Sequence, residues 1–198
     1  MSLLAYRRVV MRLAGAAILL VLPALSPSAS AADPSQLVQS TAQQVIDIVR
    51  TKTGVDRQAA ILGVLQTSFD MPAMGRAALG THWNQATEDE RTRFLKAVAT
   101  AEARAYSERF GQYAGQTLTV GKVTPRANGA VVVDSKLNQA TGQPIKLEWE
   151  VRGDRITDVK VEGVSMVMTR RSDFNSYIQN HGGKVAALLQ ELESRAGR

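Results

Sequence analysis

Two histidines, scattered carboxylates and no cysteine are what this 198-residue chain offers to catalysis or metal binding. His82 and His181 stand far apart without the close-spaced partners that a zinc site uses, so a satisfied or surface imidazole is the ordinary reading for each. Gly163-Val-Ser165-Met-Val167 lacks the closing glycine of a nucleophile elbow and lies in an extended stretch. No glycine-rich phosphate or dinucleotide loop is present. Glu148 and Glu150 alternate with apolar residues, which points both carboxylates to water rather than into a dyad. Without cysteine there is no thiolate ligand, no disulfide and no acceptor for lipid attachment after export. These residues lead us to expect no catalytic group, no metal and no cofactor.

The chain is rich in another material. Met71, Met74, Met166 and Met168, with Trp83, Phe94, Tyr106, Phe110, Tyr113 and Trp149, supply flexible and aromatic apolar surface. Methionine is polarizable and adapts its shape, so such a set can line a cavity for variable hydrocarbon. For any one of these residues taken singly, an ordinary core role is the plainer reading.

The N-terminus reads as an export signal. Arg7, Arg8 and Arg12 precede an apolar run over 13–22 that is too short to span a bilayer, and Ala29-Ser30-Ala31 is a small-residue cleavage site. Pro23 and Pro27 follow the run at once and argue against a retained anchor. Cleavage after Ala31 leaves 32–198 as one domain, with 21 basic and 18 acidic side chains and a net charge of +3. That modest charge, without a basic patch interleaved with aromatics, argues against a nucleic-acid partner. A soluble periplasmic protein is expected.

The elements that would position these residues follow from periodicity. Asp33-Pro34 opens a helix whose stripe is Leu37, Thr41, Val45, Ile48 and Val49; Asp56 caps a second, with Ile61, Leu62, Val64, Leu65 and Phe69 inward. Asp70-Met-Pro72 starts a short helix ended by Gly80. Thr87 and Glu90 form a capping box for the longest helix, expected to run to about Tyr113. The period then changes to two. Strands are expected around Leu118 and Val120, from Val131 to Leu137 after the Asn128-Gly129 turn, over 145–152, and over 156–167 with a bulge at Gly163. Ser172 is the expected N-cap of the next helix, with Phe174, Tyr177 and Ile178 on one face. Gly182-Gly183 separates it from a last helix docked by Val185, Leu188, Leu189 and Leu192. The fold class is α+β, a curved four-stranded antiparallel sheet covered by several helices.

Several phrases carry a family resemblance. Val161-Glu-Gly-Val-Ser165 running into Arg171-Ser-Asp-Phe174 resembles the closing motif of the toluene-tolerance or MlaC-like family of periplasmic lipid carriers, auxiliary components of lipid ABC transporters. Asp70-Met-Pro-Ala-Met-Gly-Arg-Ala-Ala-Leu-Gly-Thr-His-Trp83, Ala86-Thr-Glu-Asp-Glu-Arg-Thr-Arg-Phe-Leu95 and Tyr113-Ala-Gly-Gln-Thr-Leu118 are similar to its other motifs. Phe69-Asp-Met-Pro-Ala-Met74, His82-Trp83 and Gly163-Val-Ser-Met166 look most like the hopanoid-associated HpnM branch. The resemblance implies a cone-like sheet with helices around a deep apolar pocket. It also implies non-covalent carriage of a phospholipid or hopanoid between inner and outer membranes. Its implied partners are an inner-membrane transporter, an outer-membrane protein and, transiently, a membrane surface.

On this reading the lining falls to Met71, Met74, Trp83, Phe94, Val98, Tyr106, Leu147, Trp149, Val161 and Met166. Arg76, Arg170 and Arg171 are candidates for the pocket mouth or a docking surface, with solvated charge the plainer alternative. Two rivals remain open. An isomerase or dehydratase in such a pocket would need one of Asp70, His82 or Glu102 inside it with a proton-transfer partner. A chaperone would expose an apolar groove instead.

Overall fold

Helix signals at the start of the chain act locally. In the computed structural model, which describes residues 33–110 and 115–197, Asp33 caps α1 (Pro34–Thr51) by accepting from the Ser35 amide at 3.0 Å. α2 (Gly54–Ser68) begins after Thr53, so Asp56 sits in the first turn rather than at the cap, where it still faces the positive helix end. Asp70 caps α3 (Met71–Leu79) through the Ala73 amide at 2.9 Å. Gly80 ends it at φ +59°, a left-handed conformation suited to glycine, and a 3-10 turn (Gly80–Asn84) follows. The Thr87–Glu90 capping box starts α4 (Glu88–Arg109), the longest helix. It ends at Arg109 with Phe110 as cap; Tyr113 and the expected signal over 1–31 lie outside the described residues.

Five strands form one antiparallel sheet in chain order: β1 (Thr117–Pro125), β2 (Val131–Asn138), β3 (Ile145–Arg152), β4 (Arg155–Val161) and β5 (Val164–Ser165). The expected long last strand is thus two. Glu162 and Gly163 take φ +49° and +81°, and the chain reverses there instead of bulging. Glu162 can hold this conformation because its amide donates to the Lys146 carbonyl at 2.9 Å and its carboxylate accepts from the Lys146 amide. The reversal also moves the helix start. Ser165, not Ser172, caps α5 (Met166–Asn180), accepting from the Met168 amide at 3.0 Å. Arg170, Arg171 and Ser172 are therefore helical residues. α6 (Val185–Ala196) closes the fold with Val185, Leu188, Leu189 and Leu192 buried.

Three apolar clusters hold these layers together. Phe94 and Phe174 meet edge-to-face at 5.7 Å among α3, α4, α5 and α6. Val38 of α1 packs on Val133, Trp149, Val151 and Ile156 of the sheet. Ile61, Leu65 and Ala103 join α2 to α4. A parallel bridge from Phe69 to Ile156, with the Asp70 amide on the Ile156 carbonyl at 2.9 Å, ties the α2–α3 joint to β4. Arg155 donates to the Gln66 and Thr67 carbonyls and covers the C-terminal end of α2.

Candidate functional site

Between the three clusters the layers do not close, and a cavity of about 450 Å³ remains. Its floor is one face of the sheet. Strict alternation along β3 sends Ile145, Leu147 and Trp149 to this face and Glu148 and Glu150 to the other. Leu118, Leu137, Val159 and Val161 extend the floor. Trp149 is held in place because its indole Nε1 donates to the buried Ser135 hydroxyl at 2.9 Å, leaving the ring as apolar wall.

The helices supply the rest. Ala42, Val45, Ile46 and Val49 come from α1, and Ile61, Val64 and Leu65 from α2. Phe69 follows, then Met71, Met74 and Ala78 of α3, Val98 and Tyr106 of α4, and Met166, Val167 and Phe174 around the start of α5. Thr41, Glu102, Tyr106, Arg109, Gln116 and Arg170 are the polar residues on the wall. Arg170 forks onto Glu102, its Nη2 lying 3.1 Å from Oε2, and its Nη1 donates to Asp173 at 3.2 Å. The hydrogen bond with Glu102 raises Arg170 above the ordinary guanidinium range. Burial, reinforced by the Glu102 carboxylate, raises the Tyr106 phenol above its usual value.

Eight of the ten expected lining residues surround this cavity: Met71, Met74, Val98, Tyr106, Leu147, Trp149, Val161 and Met166. Phe94 and Trp83 do not. Phe94 is fully buried behind the wall, its ring against Phe174, which takes the lining position. Trp83 packs on the outer helical cluster in the 3-10 turn, where the Arg91 guanidinium sits 5.3 Å from its ring and donates to its carbonyl at 2.9 Å. Aromatic size alone could not separate the wall from the layer behind it. The three arginines also part company. Arg170 is a paired residue of the wall, whereas Arg171 is exposed over Gly80 and Arg76 is exposed on α3. The α1 and α2 residues were legible only as helical stripes, since a stripe does not say whether it meets a neighbour or a void. Arg109 and Gln116 carried no signal at all.

The Glu102 carboxylate on the wall is engaged by a cation, Arg170. A guanidinium stays protonated and cannot relay a proton, so Glu102–Arg170 is an electrostatic strut. Asp70 is spent on its helix cap, and His82 lies off the cavity with Nε2 3.1 Å from Asn175 Oδ1. Among the described residues no cluster of three or more His, Asp or Glu could hold a metal ion, and no helix is long and apolar enough to cross a membrane.

The arrangement is a deep apolar cavity, open on one side, with one charged segment of wall. The MlaC protein family model matches residues 39–194, most of the chain and every described element from α1 to α6. The chain belongs to the MlaC family. A solved structure with the same fold is the phospholipid-binding protein from Ralstonia solanacearum in complex with a phospholipid. It is 21% identical, with a TM-score of 0.69, and the match covers 84% of this chain and 98% of that one. At that identity the likeness concerns the fold, and it places this MlaC-family sheet and its helices in the same architecture.

Proposed function

We propose that this MlaC-family protein is a non-enzymatic periplasmic carrier that holds a lipid without covalent attachment and moves it between the inner and outer membranes. The observation that carries the reading is the apolar chamber of about 450 Å³, walled by five helices and the sheet. A phospholipid-binding protein of the same fold supports a lipid as the occupant. Each buried methylene contributes about 0.8 kcal/mol, so a lipid crosses water at a useful rate only inside an apolar shelter. A wall of Met, Leu, Val and aromatic side chains makes the exchange with a membrane nearly thermoneutral, and partners can then set its direction.

The finer reading rests on the motifs. Residues 1–31 act as a cleaved export signal and 32–198 form one lipid-binding domain. The partners are an inner-membrane ABC transporter and an outer-membrane protein, with passing contact at the membrane surface. The cargo is a hopanoid or a phospholipid, the first supported by Phe69-Asp-Met-Pro-Ala-Met74 and Gly163-Val-Ser-Met166 and the second by the family. Arg76 and Arg171, exposed beside α3 and α5, serve docking, while the cavity residues hold the lipid.

Native mass spectrometry of the protein purified from the periplasm tests this. The expected result is a mature chain beginning at Ala32 with a bound lipid, identified after extraction and transferable to acceptor vesicles. A periplasmic protein with no bound lipid, unable to take one from vesicles, would overturn the proposal.

A further inference from the structure

Threonines inside α-helices usually spend their hydroxyl on the carbonyl four residues back. This chain follows the habit closely. Thr51 donates to Asp47 at 2.6 Å, Thr67 to Gly63 at 2.9 Å, Thr92 to Glu88 at 3.0 Å, Thr100 to Lys96 at 3.0 Å and Thr169 to Ser165 at 2.8 Å. Thr41 is the sixth α-helical threonine and the exception. It lines the cavity, is 1% exposed, and its Oγ1 has no hydrogen-bond partner among the described residues. The other orphaned buried side-chain atom there, Nδ1 of His82, belongs to a residue off the cavity.

An unpaired buried hydroxyl is unfavourable, and valine would fill the same space without that cost. Another polar group of the wall shows the contrast: the Trp149 indole N–H is satisfied within the protein by Ser135. On α1, Thr41 is next to Ala42 and about one turn from Val38 and Val45, whose side chains carry no polar group. Its hydroxyl can both donate and accept, so it complements an alcohol, which does the same.

We infer that Thr41 is a specificity residue of the cavity, whose hydroxyl bonds an oxygen carried on the apolar body of the cargo. The preferred ligand is then an oxygen-bearing lipid rather than one whose buried part is plain hydrocarbon. This rests on the lipid-carrier reading and deepens it. Two chemistries supply such an oxygen, a hydroxylated polycyclic lipid and a hydroxy-acyl chain. A site built to bond an oxygen discriminates against the analogue that lacks it, because its own polar group is left bare.

The experiment uses delipidated protein and two matched pairs offered from vesicles: stearic acid with 12-hydroxystearic acid, and cholestane with cholestanol. Wild type is expected to favour the oxygenated member of one pair by about three- to tenfold, the range of one net hydrogen bond, and the responding pair identifies the chemistry. Thr41→Val abolishes that preference and Thr41→Ser retains it. Thr41→Val also leaves the melting temperature of the empty protein unchanged or raised, since it removes an unsatisfied group. No preference in either pair, or a preference that survives Thr41→Val, overturns the inference. So does a clear drop in melting temperature on Thr41→Val, which would mean that the hydroxyl is bonded within the scaffold. Failure of wild type to bind any of the four compounds would instead count against the carrier reading on which the inference stands.

Discussion

Trp149 and Glu148 are neighbours in sequence and opposites in environment. The first is buried against the cavity, and the second is partly exposed on the other face with Lys160 Nζ at 3.6 Å. Trp149→Arg should weaken lipid retention by about tenfold or more, because an unpaired charge in the wall costs over ~1.4 kcal/mol, one decade of affinity. Glu148→Arg should leave retention unchanged. Lipid content of the two folded variants by mass spectrometry checks the contrast, and equal occupancy would remove Trp149 from the binding wall. Tyr106 makes a second prediction at this scale. Burial raises its phenol pKa, so the stability it contributes is complete below the ordinary tyrosine value of 10.0 and is lost as pH rises through the folded value. The melting temperature should fall above that pH, and the fall should be shallower in Tyr106→Phe; identical pH profiles would refute the assignment.

At the level of elements, α4 and α5 meet along one side of the cavity through Glu102 and Arg170. Both are partly withdrawn from water, with side chains 15% and 33% exposed. Arg170→Met leaves the Glu102 carboxylate without its fork and should cost roughly 1–3 kcal/mol in urea unfolding, below the figure for a fully buried pair. Adding Glu102→Gln should restore part of that loss. Arg171→Met, one residue along the same helix but outside the wall, should stay within about 0.5 kcal/mol of wild type. Equal effects at both positions would mean that the strut carries no stability. The difference arises because the early start of α5, set by Ser165, turns Arg170 inward and Arg171 outward.

For the whole molecule the cavity is an unfilled interior, and filling it should matter to stability. A ligand present at a hundred times its dissociation constant adds about 2.7 kcal/mol to a protein that binds it only when folded. For a chain of this size that shift raises the melting temperature by roughly 5–10 °C. Protein stripped of lipid in detergent or solvent and then refolded should melt correspondingly lower than protein purified with its cargo. Reloading from vesicles should restore the difference. Indistinguishable melting curves, with mass spectrometry confirming that one sample is empty, would show that the chamber is not where cargo binds.

Local features are the ones legible in the residues alone. Caps at Asp33, Asp70 and Thr87, the alternation over β3 and the breaks at Gly80, Asn128-Gly129 and Gly182-Gly183 all act through bonds or backbone preferences within a few residues, and each is where periodicity puts it. Eight lining residues were legible because they lie on inward faces. Tertiary structure decided the rest. Whether an inward aromatic meets a void or another ring depends on residues eighty positions away, as Phe94 and Phe174 show. The reversal at Glu162-Gly163 depends on β3, whose Lys146 backbone receives it, and it alone moves the helix start to Ser165. Arg170 finds Glu102 across 68 positions of chain, and Thr41 is buried without a hydrogen-bond partner among the described residues in a wall that helices and sheet build together. Periodicity reports which face turns inward; only packing reports what that face meets.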